Sequence, residues 1–134
     1  MEDRQRAIDE KRAKAERQTR WEAAMQTAKE QALQEQYAKQ LRHQAERWRE
    51  TEALRAYCDA LEQRLSAPRE SDDADASASA RTWLAWARGH LRTIDPFTSL
   101  PTMPEPRTIE VEDLKPFLGR WSPYGPEADS SGWR

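Results

Sequence analysis

The chain has 134 residues, of which 34% are charged and 37% hydrophobic, and its formal net charge is −2. A mean hydropathy of −1.11 leaves little apolar content for a compact globule, so we expect one small domain with solvated helix attached. No window approaches about 18 consecutive apolar residues, which excludes a membrane-spanning helix. No segment carries the strong excess of Lys and Arg that is typical of a phosphate-binding surface.

The first half of the chain predicts one very long helix. Residues 2–65 contain no proline or glycine and consist mostly of Ala, Glu, Gln, Lys, Arg and Leu, which favour helix. Such a length is typical of a coiled coil or a solvated single helix. Ile8 is the only large apolar residue before Arg20, so we expect residues 1–32 to include a projecting, charged helix with little to bury.

An apolar stripe begins at Trp21 and recurs at steps of three and four residues to Trp48, then continues to Leu65. The stripe needs a covering surface, supplied either by another chain or by the rest of this one. We expect a protein partner or self-association through the Trp21–Trp48 stripe. The stripe is densest in residues 54–65, so we expect the core there.

A second helix is predicted to fold back on the first. Pro68 ends the long helix, residues 66–78 read as an acidic linker, and Ser77 or Ser79 can cap the next helix, which stops at Asp95-Pro96. A linker of this length permits an antiparallel helical hairpin. In that hairpin we expect one set of apolar residues to be buried together: Trp83, Leu84, Leu91 and Ile94 against Leu54, Tyr57, Leu61 and Leu65.

The remaining segments are predicted to pack on that hairpin. Residues 96–107 hold four prolines and favour one of two arrangements. In one, the segment is a free proline-rich ligand for another protein. In the other, it packs along the hairpin as a strap, with a buried side chain, or peg, at every third residue: Phe97, Leu100 and Met103. A short helix is expected near Val111, followed by the aromatic WSPYGP turn. The expected fold is therefore all-α: a long helix whose C-terminal half is covered by a short antiparallel helix, the proline-rich strap and the aromatic segment. Residues 33–126 form the hairpin domain, and residues 127–134 a disordered tail.

No pattern in the sequence indicates a catalytic, cofactor or metal site. His43 and His90 lie on different helices without companion ligands, and Cys58 lies inside the apolar stripe, where a small buried hydrophobe is the expected role. A lone cysteine suits a reducing cytoplasm. We therefore expect a non-enzymatic helical scaffold or protein-interaction module. The alternative is a nucleic-acid accessory module, because Arg and Trp alternate around Trp48 and Trp83.

Several phrases together carry a resemblance: RWEAAMQTAKEQ, ALRAYCDALEQR, WLAWARGHLRTIDPF, PTMPEP and EDLKPFLGRWSPYGP. Over about residues 17–126 the chain resembles the C-terminal region of a group of uncharacterised actinobacterial proteins. There the region looks like a helical tail after a larger N-terminal domain, so this chain is similar to an excised tail or a short stand-alone relative. The resemblance implies no activity, cofactor or site residue.

Overall fold

A computed structural model describes residues 2–127 as a set of helices: α1 (Glu2–Ser66), α2 (Ala74–Ile94) and α3 (Val111–Leu114), with a 3₁₀ turn at Lys115–Phe117. Within these residues there is no strand beyond one isolated bridge. The all-α class, with a very long first helix and a shorter second one, is confirmed. The chain divides into two compact units, the first from residues up to 38 and from 105 onward, the second from residues 39–104.

The ends of α1 and α2 follow the proline signals, but the start of α2 differs from the prediction. α1 ends at Ser66, before Pro68, and α2 ends at Ile94, before Pro96. The N-cap of α2 is Asp73, whose carboxylate accepts the Asp75 backbone N–H at 3.2 Å. The linker is therefore shorter than the predicted residues 66–78, and the caps predicted at Ser77 and Ser79 are wrong. An aspartate caps a helix as well as serine does, and its charge also favours the helix N-terminus.

The first unit holds its core around two alanines of α1. Four buried side chains form the centre: Ala28, Ala32, Leu114 and Leu118. Partly buried side chains pack against them: Met25, Ile109, Phe117 and Trp121. The Trp21 indole N–H donates to the backbone carbonyl of Ser122 at 2.8 Å, and the Arg17 guanidinium meets the Glu127 carboxylate at 3.0 Å. These contacts place the C-terminal aromatic segment on residues 17–32 of α1.

This position corrects two sequence-based expectations. The aromatic segment was expected on the C-terminal half of the long helix, and residues 1–32 were expected to form a projecting charged helix. Small Ala28 and Ala32 side chains let Leu114 and Leu118 approach the backbone of α1 closely, which a stripe of large residues would not permit. The predicted helix start near Val111 is confirmed, and Gly119 follows the 3₁₀ turn with φ of 60°, a left-handed conformation that favours glycine. The predicted disordered tail at 127–134 lies, from residue 128 onward, outside the described residues.

The packing of the first unit predicts that a larger side chain at position 28 destabilises it. Replacing buried Ala28 with Leu should overpack the contact with Leu114 and Leu118 and cost about 1–3 kcal/mol. Hydrogen–deuterium exchange in residues 109–122 should accelerate, because this segment docks on that position. Ala23→Leu is the matched control, since Ala23 is exposed on the same helix. Equal exchange in the two variants would contradict the docking.

The second unit is an antiparallel hairpin of α1 and α2, as predicted. Ion pairs tie the helices together in reverse order along their lengths. The Arg88 guanidinium binds the carboxylates of Asp59 at 2.8 Å and Glu62 at 2.9 Å, and Arg55 binds Asp95 at 3.0 Å. The buried line between the helices includes Cys58, Leu91 and Thr51, whose hydroxyl donates to the Arg47 carbonyl. Cys58 is thus a buried small hydrophobe, as predicted.

The turn of the hairpin is closed by a bidentate pair. Both Nη atoms of Arg64 donate to the Asp72 carboxylate, which also accepts the Arg69 backbone N–H at 2.8 Å. The Arg64 hydrogen bond, followed by that of Arg69, lowers the pKa of Asp72 well below its ordinary value of 3.8. A lowered pKa in the folded state means that this pair stabilises the hairpin above about pH 4 and loses its effect as the pH falls further.

We therefore expect Asp72→Asn to lower the melting temperature at pH 7. The gap from wild type should narrow as the pH falls below 3.8, because the Asp72 carboxylate then takes up a proton in the unfolded chain while the folded chain keeps its charge. Thermal melts by circular dichroism between neutral and acidic pH measure this gap. Glu50→Gln is the control, because Glu50 is an exposed carboxylate of the same unit. A gap that stays constant with pH would show that the Asp72 charge does not stabilise the turn.

Candidate functional site

The two sides of the hairpin differ in chemistry. Successive residues of a helix are rotated by about 100° about its axis. Each helix of the hairpin therefore has one row of side chains on either side of its contact with the other helix. One edge is charged and ion-paired, and we call it the charged edge: Arg55, Asp59, Glu62, Arg88 and Asp95. The opposite edge carries rings and aliphatic groups, and we call it the aromatic edge: Leu54, Tyr57, Trp83, Trp86 and His90.

Three rings of α2 form a stack on the aromatic edge. The ring centroids of Trp83 and Trp86 lie 5.2 Å apart with an interplanar angle of 8°, and those of Trp86 and His90 lie 5.0 Å apart at the same angle. Trp83 is 55% exposed and Trp86 57% exposed. Residues at spacings of three and four meet on one helix side, which explains the stack. The rings support one another, while their outer edges face solvent.

This arrangement corrects the expected hairpin core. Trp83 was expected to be buried against Tyr57 and Leu54, but all three are exposed. The aliphatic part of the prediction holds except at Leu54: Leu91 is buried, and the others are half-buried, namely Leu61, Leu65, Leu84 and Ile94. The physical reason is that Leu91, Leu84 and Ile94 occupy the contact with α1. Arg88 pairs with Asp59 and Glu62 on one side of that contact, and helical spacing turns the tryptophans to the other side.

The proline-rich strap borders a second exposed apolar region. A cleft of about 790 Å³ lies between residues 41–48 of α1 and residues 93–102. The pegs expected at Phe97, Leu100 and Met103 are wrong, because all three side chains are exposed. The Asp95 carboxylate accepts the Phe97 backbone N–H at 2.9 Å and so fixes the start of the strap with the Phe97 ring outward.

The stripe predicted as a partner contact, Trp21–Trp48, is divided by the structure. Its first part is covered within the first unit, where Trp21 donates to Ser122 and Ala28 is buried. Its last part, with Leu41 and Trp48, remains exposed in the second unit. The free apolar surface of the hairpin unit therefore lies in residues 39–104 and includes positions of α2 that sequence reasoning assigned to the core.

Side chains capable of catalysis or metal binding are scattered. His43 is exposed on α1, His90 is engaged with Trp86, and Cys58 is buried. Over residues 2–127 no group of three or more His, Cys, Asp or Glu side chains is placed to hold a metal ion. Within the same residues no helix is both long and apolar enough to cross a membrane.

Three arginines of the hairpin are held by carboxylates. Arg55, Arg64 and Arg88 each lie in an ion pair with a side chain of the same unit. The pKa of Arg88 is raised by its hydrogen bond to Asp59, and that of Arg64 by its hydrogen bond to Asp72. A guanidinium neutralised in this way contributes little to phosphate binding.

Comparison with protein-family models, characterised proteins and solved structures gives no match to this chain. The resemblance to the C-terminal region of uncharacterised actinobacterial proteins therefore stays a prediction.

The exposure of the rings predicts which of two substitutions lowers the free energy of unfolding more. Leu91→Ala should cost about 2–5 kcal/mol, because Leu91 is buried between the helices. Trp86→Ala should cost less, about 1–2 kcal/mol, chiefly the loss of its two stacked ring pairs, although it removes the larger side chain. Urea unfolding followed by circular dichroism measures both. A larger loss for Trp86→Ala would mean that the ring is part of the core.

Proposed function

We propose that the protein is a non-catalytic helical module that binds a protein through the aromatic edge. The partner is either a different protein or a second copy of this chain. The observation that supports this most directly is the stacked, exposed pair Trp83 and Trp86. Aromatic residues are enriched at protein interfaces, where they contribute much of the binding energy. Trp83 and Trp86 hold a stacked arrangement although more than half of each side chain is exposed, so their order does not come from burial in the core.

The distribution of exposed side chains favours the same surface. Of the twelve large hydrophobic side chains exposed among residues 2–127, nine belong to the second unit, residues 39–104. Contiguous exposed apolar surface on a soluble domain usually marks an interaction site. The single cysteine, Cys58, is free and buried. A lone free cysteine suits a reducing compartment, so the proposal includes a cytoplasmic location.

The alternative function, a nucleic-acid accessory module, has less support. Bases stack on free aromatic faces between phosphate-binding cations. Here Trp86 has a ring on each side, Trp83 and His90, and Arg88 is bound to two carboxylates. Tight DNA binding with a steep inverse dependence on salt would favour the alternative.

Photo-cross-linking in cells tests the proposed function. A photoreactive amino acid at position 86 should give a discrete protein adduct, whereas the same group at position 49 should not, because Arg49 is exposed and polar. Tyr57→Ser should weaken the adduct at position 86, since Tyr57 lies on the same edge. No adduct at position 86, or identical adducts at both positions, would overturn the proposal.

A further inference from the structure

The strap that follows α2 is exposed and apolar, and its sequence repeats every three residues. Large apolar side chains recur at this spacing and are 60%, 87% and 72% exposed: Phe97, Leu100 and Met103. A proline follows each of the last two, at Pro101 and Pro104. Residues 96–104 include no charged side chain, although 34% of the whole chain is charged. Contiguous apolar surface that the chain itself leaves uncovered usually marks an interaction site.

Proline restricts the backbone of the strap to an extended form. A proline fixes its own φ at about −65°, and it biases the residue before it toward strand or polyproline II geometry. From Leu100 to Pro106, only Thr102 is neither a proline nor the residue before one. Residues 100–110 accordingly lie outside any helix, strand or turn. The segment is therefore held close to polyproline II before any partner binds.

A polyproline II helix has three residues per turn, which sorts the strap into three rows. Leu100 and Met103 share one row, and Pro101 and Pro104 share the row beside it. The third row is polar between the same prolines: Ser99 and Thr102. The strap thus has two adjacent apolar rows and one polar row.

The backbone of the strap is free to bind. Among the residues that the structure describes, none is hydrogen-bonded to the backbone of residues 99–104. The carbonyl groups can therefore accept hydrogen bonds from a partner. Pro101 and Pro104 have no N–H, so the segment cannot form the regular ladder of a strand added to a sheet edge.

We infer that the strap is a ligand for a protein domain whose binding groove is lined by aromatic rings. Segments with two prolines three residues apart dock in such grooves, because their preformed helix loses little conformational entropy on binding. Pro101 and Pro104 have this spacing, and an apolar residue precedes each. The two apolar dipeptides, one turn apart, would fill adjacent hollows between the rings. Trp N–H or Tyr O–H groups of the groove would donate to the free carbonyls.

Other classes of partner fit this surface less well. Anionic membrane surfaces and nucleic acids bind proteins through clusters of Lys and Arg, and residues 96–104 have none. The strap is also distinct from the aromatic edge of α2. The inference therefore adds a second contact and does not rest on the proposed function.

Thr102 offers substitutions that test the bound backbone. Its side chain belongs to the polar row, and its N–H has no partner within the described residues. Thr102→Pro keeps polyproline II geometry and should leave the affinity equal or higher, whereas Thr102→Gly should loosen the segment and weaken binding. A partner that added the strap as a strand would need this N–H and would lose Thr102→Pro.

Titration of the full chain against a collection of purified SH3 and WW domains, whose grooves take proline-rich segments, tests the inference. At least one domain should bind wild type saturably. Met103→Glu should raise the dissociation constant at least about tenfold, because it places a charge in an apolar hollow. Ser99→Glu is the matched control: it adds the same charge to the polar row and should bind like wild type. Neither change should lower the melting temperature, since both side chains are exposed.

Three results would overturn the inference: no domain binds wild type, Met103→Glu binds as tightly as wild type, or Thr102→Pro loses binding as Met103→Glu does. Sedimentation of wild type with phosphatidylglycerol vesicles, without binding to any domain, would assign the apolar rows to a membrane surface instead. The cross-link at position 86 tests the aromatic edge separately, so either proposal can fail while the other stands.

Discussion

The rotation of α2 about its own axis is the constraint on which the position of the aromatic edge depends. On one edge of the hairpin, Arg88 binds Asp59 and Glu62 and Arg55 binds Asp95. Exposed ion pairs contribute little stability individually. The buried Leu91 determines which side of α2 meets α1, and the ion pairs all lie on one side of that buried line. Once that side is fixed, helical geometry turns Trp83 and Trp86 to the opposite edge.

Each unit uses the apolar positions of α1 differently. In the first unit, Ala28 and Ala32 are small enough for Leu114 and Leu118 to reach the helix, and Trp21 anchors the aromatic segment by a hydrogen bond to Ser122. That part of the stripe is therefore occupied by the chain itself. In the second unit, α2 covers only one side of its part of the helix, and Tyr57 remains exposed. Hence the exposed apolar surface lies with α2 and not along the Trp21–Ala32 segment.

Much of the fold follows from local sequence. The absence of proline and glycine predicts α1, Pro68 and Pro96 predict the ends of α1 and α2, and Val111 marks the start of the third helix. These features depend on backbone chemistry that acts over a few residues. Cys58 could also be placed correctly, because it is small and lies in phase with the stripe.

Which apolar side chains stay exposed could not be predicted in the same way. Periodicity identifies an apolar side of a helix but cannot say which part of a wide apolar side is covered. The expected burial of Trp83 failed for this reason, and so did the pegs at Phe97 and Leu100. The docking of the aromatic segment depends on contacts such as Trp21 with Ser122, which are 101 residues apart. One signal was present: Trp83 and Trp86 together make the apolar side of α2 wider than a single contact with α1 can cover.

The tryptophans of α2 lie at the surface, whereas Trp21 and Trp121 are packed within the first unit. Hydroxyl-radical footprinting with residue-level mass spectrometry, performed on the dilute full chain, tests this most directly. The account predicts fast oxidation of Trp83 and Trp86 and slow oxidation of Trp21 and Trp121, which are half-buried. Trp83 and Trp86 as protected as Trp21 in the dilute chain would contradict it.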